Sequence, residues 1–205
     1  CGCKNLVNFI IPSSVKSIWN SSFEGCINLN EIFIPQSVQT IGEYAFFGCC
    51  SLKSIFIPSS VISIGKGCFR ECTSLEELKL PPSLKIIEES LFYHCSLIVD
   101  VEIPDSVQII KEFAFYKCHS LSHITIPNSV LSIEQFAFAN CPHLTNALIP
   151  NSVIEIGKRV FAGCFSLSNI VVNQKVKPIE DRFYNGLKKK VPKINNEFLG
   201  ITKDK

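Results

Sequence analysis

Cysteine is the residue of this sequence whose abundance and spacing most strongly suggest chemistry. The chain contains 11 cysteines among 205 residues, and most of them fall in one column that repeats every 23 residues. The members of this cysteine column are Cys3, Cys26, Cys49, Cys72, Cys95, Cys118, Cys141 and Cys164. Stacked repeats would place neighbouring sulfurs in a straight row, about 5 Å apart. Such a row does not surround an ion, and the sequence has no C-x-x-C pair, so we predict neither a metal centre nor a cofactor.

The cysteine column also raises the question of disulfides. Adjacent column cysteines would satisfy the Cα separation of a disulfide, but stacked side chains point the same way, which opposes bond formation. We interpret the column as buried free thiols that pack as small apolar side chains, with disulfides between adjacent repeats as the alternative. Outside the column, we expect Cys68 to lie in the core and Cys50 to be more exposed.

Histidines and carboxylates do not form a catalytic constellation in the sequence. Four histidines occupy four different positions of the repeat, which predicts scattered surface positions: His94, His119, His123 and His143. Glu77 and Asp100 share one position in adjacent repeats, which would place them about 5 Å apart, a separation typical of retaining glycoside hydrolases. An open sheet surface would give this pair no cleft that excludes water, so we predict that the protein is not an enzyme.

The elements that must position these residues follow from the repeat itself. Each repeat begins with Leu-x-x-Ile-x-Ile-Pro, in which alternating apolar residues predict a short strand that proline ends. In the repeat that begins at Leu29, this pattern places Ile32 and Ile34 inward and Phe33 outward. Residues 43–49 carry apolar residues at i, i+1 and i+4, which predicts a short helical turn.

Two further columns indicate what holds the repeats together. One large ring per repeat should enter the core: Phe23, Phe46, Phe69, Phe92, Phe115, Phe138 and Phe161. A serine after each strand should use its hydroxyl to satisfy backbone groups at the bend. The members of this serine column are Ser14, Ser37, Ser60, Ser83, Ser106, Ser129 and Ser152. Because no single repeat buries its apolar residues alone, the constant period predicts a solenoid of stacked repeats.

The regular array is predicted to cover residues 1–187, as seven full repeats and a degraded cap repeat at 173–187. Residues 188–205 are predicted to form a basic, weakly ordered tail. The net charge is only +2, and no basic face lies outside that tail, so we expect no nucleic-acid partner. The apolar runs are far shorter than the roughly 20 residues that span a bilayer, so no transmembrane segment is predicted. Because Cys3 already belongs to the cysteine column, further repeats are expected before residue 1.

The outward positions of the predicted strands are free from the core and form the candidate binding surface. Large apolar residues there usually mark a contact surface, although strand propensity alone also favours bulky side chains. The candidate partner-binding residues are Ile10, Phe33, Phe56, Glu77, Lys79, Asp100, Glu102 and Leu148. Within this set, we expect a cross-strand ion pair between Lys79 and Glu102.

A second candidate surface is an aromatic ridge on the helical side of the repeats, which packing between repeats would also explain. The aromatic ridge consists of Tyr44, Phe47, Tyr93, Phe113, Tyr116 and Phe136.

The whole motif, Leu-x-x-Ile-x-Ile-Pro-x-Ser-Val-x-x-Ile-Gly-x-x-Ala-Phe-x-x-Cys, resembles the BspA-like class of leucine-rich repeats over about residues 3–187. The resemblance implies an α/β solenoid with a parallel β-sheet on its concave side and short helical turns opposite. It also implies binding of a protein or extracellular-matrix ligand at the cell surface or outside the cell. We therefore expect a non-enzymatic interaction module that binds through the concave sheet. An intracellular, cytoplasmic scaffold and a structural spacer are the alternatives.

Overall fold

The computed structural model describes residues 2–171 and 193–194, which form a parallel-strand solenoid of about six turns. Its strands belong to two ladders. The long-strand ladder contains β1 (Asn8–Ile10), β3 (Glu31–Phe33), β5 (Ser54–Phe56), β7 (Glu77–Lys79), β10 (His123–Thr125), β12 (Asn146–Leu148), β14 (Asn169–Val171) and β15 (Lys193–Ile194). The short-strand ladder contains β2 (Ser17–Ile18), β4 (Thr40–Ile41), β6 (Ser63–Ile64), β8 (Ile86–Ile87), β9 (Ile109–Ile110), β11 (Ser132–Ile133) and β13 (Glu155–Ile156).

Strand register follows the repeat period. All paired strands are parallel, and equivalent residues of adjacent repeats face each other, as Ile10 faces Phe33 and Phe33 faces Phe56. Equal repeat length enforces this register, because a slip of one residue would turn the apolar face of a strand to solvent. The last strand, β15, lies within the predicted tail and pairs with β14. The predicted cap at 173–187 and the rest of the tail lie outside the described residues.

The core consists of the predicted apolar columns. The rings of Phe46, Phe69 and Phe92 are completely buried. Each ring stacks on the ring of the next repeat, with centroids 5.7 Å apart for Phe46 and Phe69 and 5.8 Å apart for Phe69 and Phe92. This offset stacking is favourable beyond the burial of area alone. The structure confirms the prediction of one buried ring per repeat.

Among the described residues there is no helix, so the predicted short helical turns are wrong and the side opposite the long-strand ladder consists of tight turns. Each turn segment contains two residues with positive φ, such as Tyr44 at 54° and Gly48 at 69°. A left-handed residue interrupts the right-handed backbone that an α-helix requires. The N–H of Phe46 donates to the carbonyl of Cys68 in the next repeat at 2.9 Å, whereas that of Phe47 donates to Tyr44 at 3.1 Å. Hydrogen bonds between repeats thus replace those of a helix.

The predicted hydrogen bonds from serine hydroxyls to backbone groups form in several repeats of the serine column. The hydroxyl of Ser37 donates to the carbonyl oxygen of Val15 at 2.6 Å, and Ser60 and Ser106 make the equivalent bond. The hydroxyl of Ser129 is buried without a hydrogen-bond partner. Repeats are therefore joined by side chains as well as by backbone groups, but not uniformly along the array.

Both ladders are interrupted beside the repeat that contains β7 and β8. In the long-strand ladder, β1, β3, β5 and β7 form one sheet and β10, β12, β14 and β15 form another. Between these sheets, residues 98–103 form no strand, and Glu102 makes a single bridge to Thr125. The short-strand ladder divides between β6 and β8. The repeat that contains β7 is therefore less tightly paired to its neighbours than the others are.

Three residues in this part of the sequence oppose regular pairing. Asp100 lies opposite Glu77 in the repeat register, and like charges directly opposite each other destabilise a strand pair. Leu97 occupies a position where Asn28 donates its side-chain amide to the backbone of the preceding repeat at 2.7 Å, a bond that leucine does not make. Pro82 adds a second proline after the strand and restricts the backbone of Pro81 before it. These departures from the repeat coincide with the interruption.

Candidate functional site

The outward residues of the long-strand ladder form one exposed surface, which we name the open strand face. Its members are Ile10, Phe33, Phe56, Lys79, Glu102, Thr125 and Leu148. The exposed fractions are 84% for Ile10, 62% for Phe33 and 56% for Phe56. By contrast, Ile34, which directly follows Phe33, faces the core like Ile32 and is fully buried. The alternation predicted from the sequence therefore holds, and these side chains are not needed by the core.

Ile10, Phe33 and Phe56 form a continuous row on three hydrogen-bonded strands. Adjacent strands lie about 4.8 Å apart, so the three residues are direct neighbours along the face. Leu148 is similarly exposed, at 58%, but it belongs to β12 in the second sheet. The open strand face thus has an apolar row at one end and a separate apolar residue near the other.

The interruption beside β7 opens a cavity of about 830 Å³, which we name the acidic cavity. Its walls come from the end of one sheet and from the unpaired segment that follows. It is lined by Ser54, Ile55, Phe56, Glu76, Glu77, Leu78, Lys79, Leu97, Val99, Asp100 and Ser120. Glu77 and Asp100 are therefore brought to one cavity, but both are exposed, so neither is shielded from water as a catalytic pair would be.

A second cavity of about 530 Å³ lies at the carboxyl end of β7, and we name it the proline cavity. Pro81, Pro82 and Pro104 line it together with Glu102 and Asp105. Phe56 and Lys79 line both cavities. Of the eight predicted site residues, five thus gather around β7, while Ile10, Phe33 and Leu148 lie outside both cavities. The sequence reasoning missed the cavities themselves, although Leu97 and Pro82 were the signals that could have indicated them.

No ion pair between Lys79 and Glu102 occurs in the described part of the chain, so that prediction is wrong. The strand that would have carried Glu102 does not pair with β7, and the two side chains are not held together. An ion pair between equivalent residues of adjacent repeats does form where the short-strand ladder is intact. Lys111 Nζ lies 2.8 Å from Glu88 Oε2, and these residues directly follow the paired strands β9 and β8.

Three histidines cluster, which contradicts the prediction that all four are scattered. The rings of His94 and His119 have centroids 5.7 Å apart, and Nδ1 of His143 hydrogen-bonds to the carbonyl oxygen of His119 at 2.7 Å. Their repeat positions differ by one to three residues, a small distance along the turn, so successive repeats bring them together. Partial burial lowers the pKa of His119, and the charges of His94 and Lys117 lower it further. Among the described residues, no cluster of histidine, cysteine or acidic side chains has the arrangement of a metal site.

All described cysteines are free thiols, which confirms the free-thiol interpretation. The column cysteines from Cys26 to Cys164 are buried as expected, but Cys3 is exposed, so the expected burial is wrong for that residue. Outside the column, Cys68 is fully buried while Cys50 is half-buried. Column thiols bond to the preceding repeat, as Cys72 Sγ donates to the carbonyl oxygen of Phe46 at 3.1 Å. Burial raises the pKa of Cys49 to about 12, so this thiol stays protonated and unreactive near neutral pH.

The aromatic ridge is held together by its own packing. Tyr93 and Tyr116 stack with centroids 5.0 Å apart, and Phe113 stacks on Phe136 at 5.1 Å. The guanidinium of Arg70 lies 4.2 Å from the centroid of the Tyr93 ring. These half-buried rings join repeats, which is the packing role that the sequence also allowed.

No helix long and apolar enough to cross a membrane occurs in the part of the chain that the structure describes.

Parallel strands at a constant period, buried apolar columns and an exposed strand face define a leucine-rich-repeat solenoid, a class whose strand surfaces are used for binding. Sequence comparison identifies the family: the model of the BspA type leucine rich repeat region matches residues 1–99 and 85–204 with six copies. The chain belongs to this family. Leucine-rich-repeat proteins are typically non-enzymatic and protein-binding. No curated protein matches the sequence significantly.

Solved structures of bacterial leucine-rich-repeat proteins are similar to this chain. One from Bacteroides ovatus is 31% identical over 89% of this chain and 52% of its own, with a TM-score of 0.77. One from T. pallidum is 32% identical over 78% of both chains, with a TM-score of 0.74. A leucine rich cell surface protein from Faecalibacterium prausnitzii is 31% identical over 83% of this chain and 48% of its own, with a TM-score of 0.71. This chain thus spans about half the length of the first and third proteins.

Proposed function

We propose that this chain is a non-enzymatic interaction module that binds a protein or extracellular-matrix ligand through its open strand face at a cell surface. The observation that carries this proposal is the continuous exposed row of Ile10, Phe33 and Phe56. A contiguous apolar patch on a soluble surface usually marks a contact site.

The exposed side chains of the row can supply much of the free energy of binding. Burying a phenylalanine or isoleucine side chain contributes about 1.5 to 3 kcal/mol, so three adjacent side chains provide the centre of a specific interface. The paired parallel strands also hold these side chains in fixed positions, which lowers the entropic cost of binding. Membership of the family supports a protein ligand, and the F. prausnitzii neighbour, described as a cell surface protein, supports surface display.

The abundance of free thiols favours a second candidate, an intracellular scaffold that binds through the same face. Free cysteines are typical of reducing compartments, and the described cysteines are unpaired. Treatment of intact source cells with a protease that does not enter them distinguishes the two. Degradation of the chain supports surface display, and survival of the chain until the cells are lysed supports the intracellular scaffold.

The binding surface is tested with the double variant Phe33→Ser/Phe56→Ser and the matched control Ile62→Ser. Ile62 is 59% exposed but lies beside the short-strand ladder, away from the open strand face. The wild-type chain is screened by biolayer interferometry against purified extracellular-matrix proteins, and the variants are titrated on the proteins that bind. We expect each lost phenylalanine to weaken binding by about 2 kcal/mol, and the control to leave it unchanged. A folded double variant that binds as tightly as the wild type would contradict the proposal.

A further inference from the structure

We propose that the ligand of the open strand face is a basic, extended segment of a partner protein. Its lysine or arginine side chains enter the acidic cavity, and apolar residues beside them cover Phe56, the residue of the apolar row that lies next to β7. This inference rests on the proposed function and adds the chemistry of the partner. Three independent features of the region around β7 carry it: the lining of the acidic cavity, the uncompensated charge and the free strand edge.

The lining of the acidic cavity matches a long cationic side chain. Leu97 and Val99 are 43% and 52% exposed and offer an apolar wall. The carboxylates of Glu76, Glu77 and Asp100 line the same cavity, and all three residues are exposed. Lysine and arginine combine an aliphatic stem with a charged head, so the stem would contact the wall while the head reaches the carboxylates. A purely apolar side chain would leave these carboxylates without a partner.

No ion pair among the described residues neutralises the carboxylates around β7. The two cavities are lined by one cation, Lys79, and by five carboxylates: Glu76, Glu77, Asp100, Glu102 and Asp105. None of these residues belongs to the ion pairs found among the described residues. The region is therefore locally acidic in a chain whose net charge is +2. Such a field attracts basic partners and repels nucleic acids and acidic segments.

The backbone around β7 favours an extended partner. Strand β7 pairs with β5 on one side and has no strand on the other side within residues 2–171. The free edge faces the segment that contains Val99 and Asp100, across the acidic cavity. Unpaired N–H and C=O groups at a strand edge bind extended peptides, and the alternating side chains of such a peptide supply the specificity. The two cavities follow each other along β7, so successive outward side chains of a segment bound along this strand would reach different cavities.

The inference is tested with a phage-displayed library of short random peptides that is selected on the purified wild-type chain at low salt. Selected peptides are synthesised, labelled and titrated by fluorescence anisotropy. We expect them to be enriched in lysine or arginine alternating with apolar residues, and we expect their affinity to fall as salt rises. The variant Glu77→Gln/Asp100→Asn should bind them roughly tenfold more weakly. The matched control Glu43→Gln/Glu155→Gln removes the same charge away from the open strand face and should bind normally.

Other outcomes separate the two proposals. Neutral or acidic peptides, or basic peptides that bind the Glu77→Gln/Asp100→Asn variant unchanged, would overturn the inference. If those peptides still bind the Phe33→Ser/Phe56→Ser variant more weakly than the wild type, the proposed function stands without the inference about the partner. Peptides that bind equally well to the phenylalanine variant would overturn both. Circular dichroism of each variant establishes that the fold is intact before binding is compared.

Discussion

Replacement of Phe92 by alanine tests the assignment of inward and outward faces on which the functional proposal depends. Phe92 is fully buried. Its ring stacks between those of Phe69, at 5.8 Å, and Phe115, at 5.2 Å. The backbone around it also joins repeats, since its carbonyl oxygen accepts a bond from Cys118 Sγ at 3.1 Å. The substitution therefore removes one ring from the middle of a continuous stack.

The expected loss of stability follows from these contacts. Truncation of a buried phenylalanine to alanine costs about 3 to 5 kcal/mol through lost burial and the cavity that remains. Each aromatic pair adds about 0.5 to 1.5 kcal/mol beyond area burial, and Phe92 takes part in two such pairs. The turn segment that carries Phe92 is hydrogen-bonded to the next repeat, since the N–H of Phe92 donates to the carbonyl oxygen of Ala114 at 2.8 Å, so the structure has little freedom to close the cavity. We therefore expect a loss in the upper part of that range, about 4 to 5 kcal/mol.

The assay is urea unfolding followed by circular dichroism, with Phe56→Ala as the matched control. Phe56 has the same side chain but is 56% exposed on the open strand face. Its replacement should cost less than about 1 kcal/mol, because little buried area is lost. Both variants are compared with the wild type by their transition midpoints and slopes. Equal losses for Phe92→Ala and Phe56→Ala would refute the distinction between the two faces, and with it the proposed binding surface.

The other predictions concern thiols and hydroxyls. A thiol reagent at neutral pH should modify Cys3 rapidly, Cys50 slowly and Cys49 only after denaturation, because Cys3 is exposed, Cys50 half-buried and Cys49 buried; rapid modification of Cys49 in folded protein would contradict its burial. Folding raises the pKa of Cys49 from 9.0 to about 12. The contribution of the Cys49 thiol to stability should therefore be complete below about pH 9 and be lost as pH rises towards 12, since between these values the thiol ionises mainly in the unfolded chain. The urea midpoint of Cys49→Ala should then fall less at alkaline pH than that of the wild type, and a smaller fall would confirm this. Ser37→Ala should cost about 1 kcal/mol in urea unfolding because it removes the 2.6 Å bond to the preceding repeat. Ser129→Ala, which removes a hydroxyl without a partner, should be neutral or stabilising; equal losses would contradict the role of the hydroxyl bond.

Most of the solenoid was predictable because equivalent residues repeat at a constant spacing. A fixed spacing makes residues such as Phe33 and Phe56 partners in adjacent strands, so one repeat interpreted correctly describes the others. Alternation along each strand then separates buried Ile34 from exposed Phe33. The exposure of the candidate binding residues could be predicted for the same reason, whereas their role in binding stays a prediction.

The turn segments could not be predicted in this way. Apolar residues at helical spacing, such as Ala45, Phe46 and Cys49, are equally compatible with a stack of turns whose side chains point to the same core. The choice depends on whether an N–H group finds its partner within the segment or in the next repeat. The N–H of Phe46 bonds to the next repeat, and a periodicity within one repeat does not contain that information.

The sequence by itself determined the repeat unit, its register and the division into core and outward residues, because these follow from spacing and polarity along one chain. Only the tertiary structure decided where the stack is imperfect and which distant residues meet. It placed Glu77 and Asp100 in one cavity, left Lys79 without its expected partner in the described part of the chain, and brought His94 against His119. These results depend on small displacements between adjacent repeats, which arise from the balance of hydrogen bonds, charge repulsion and packing across the interface between them.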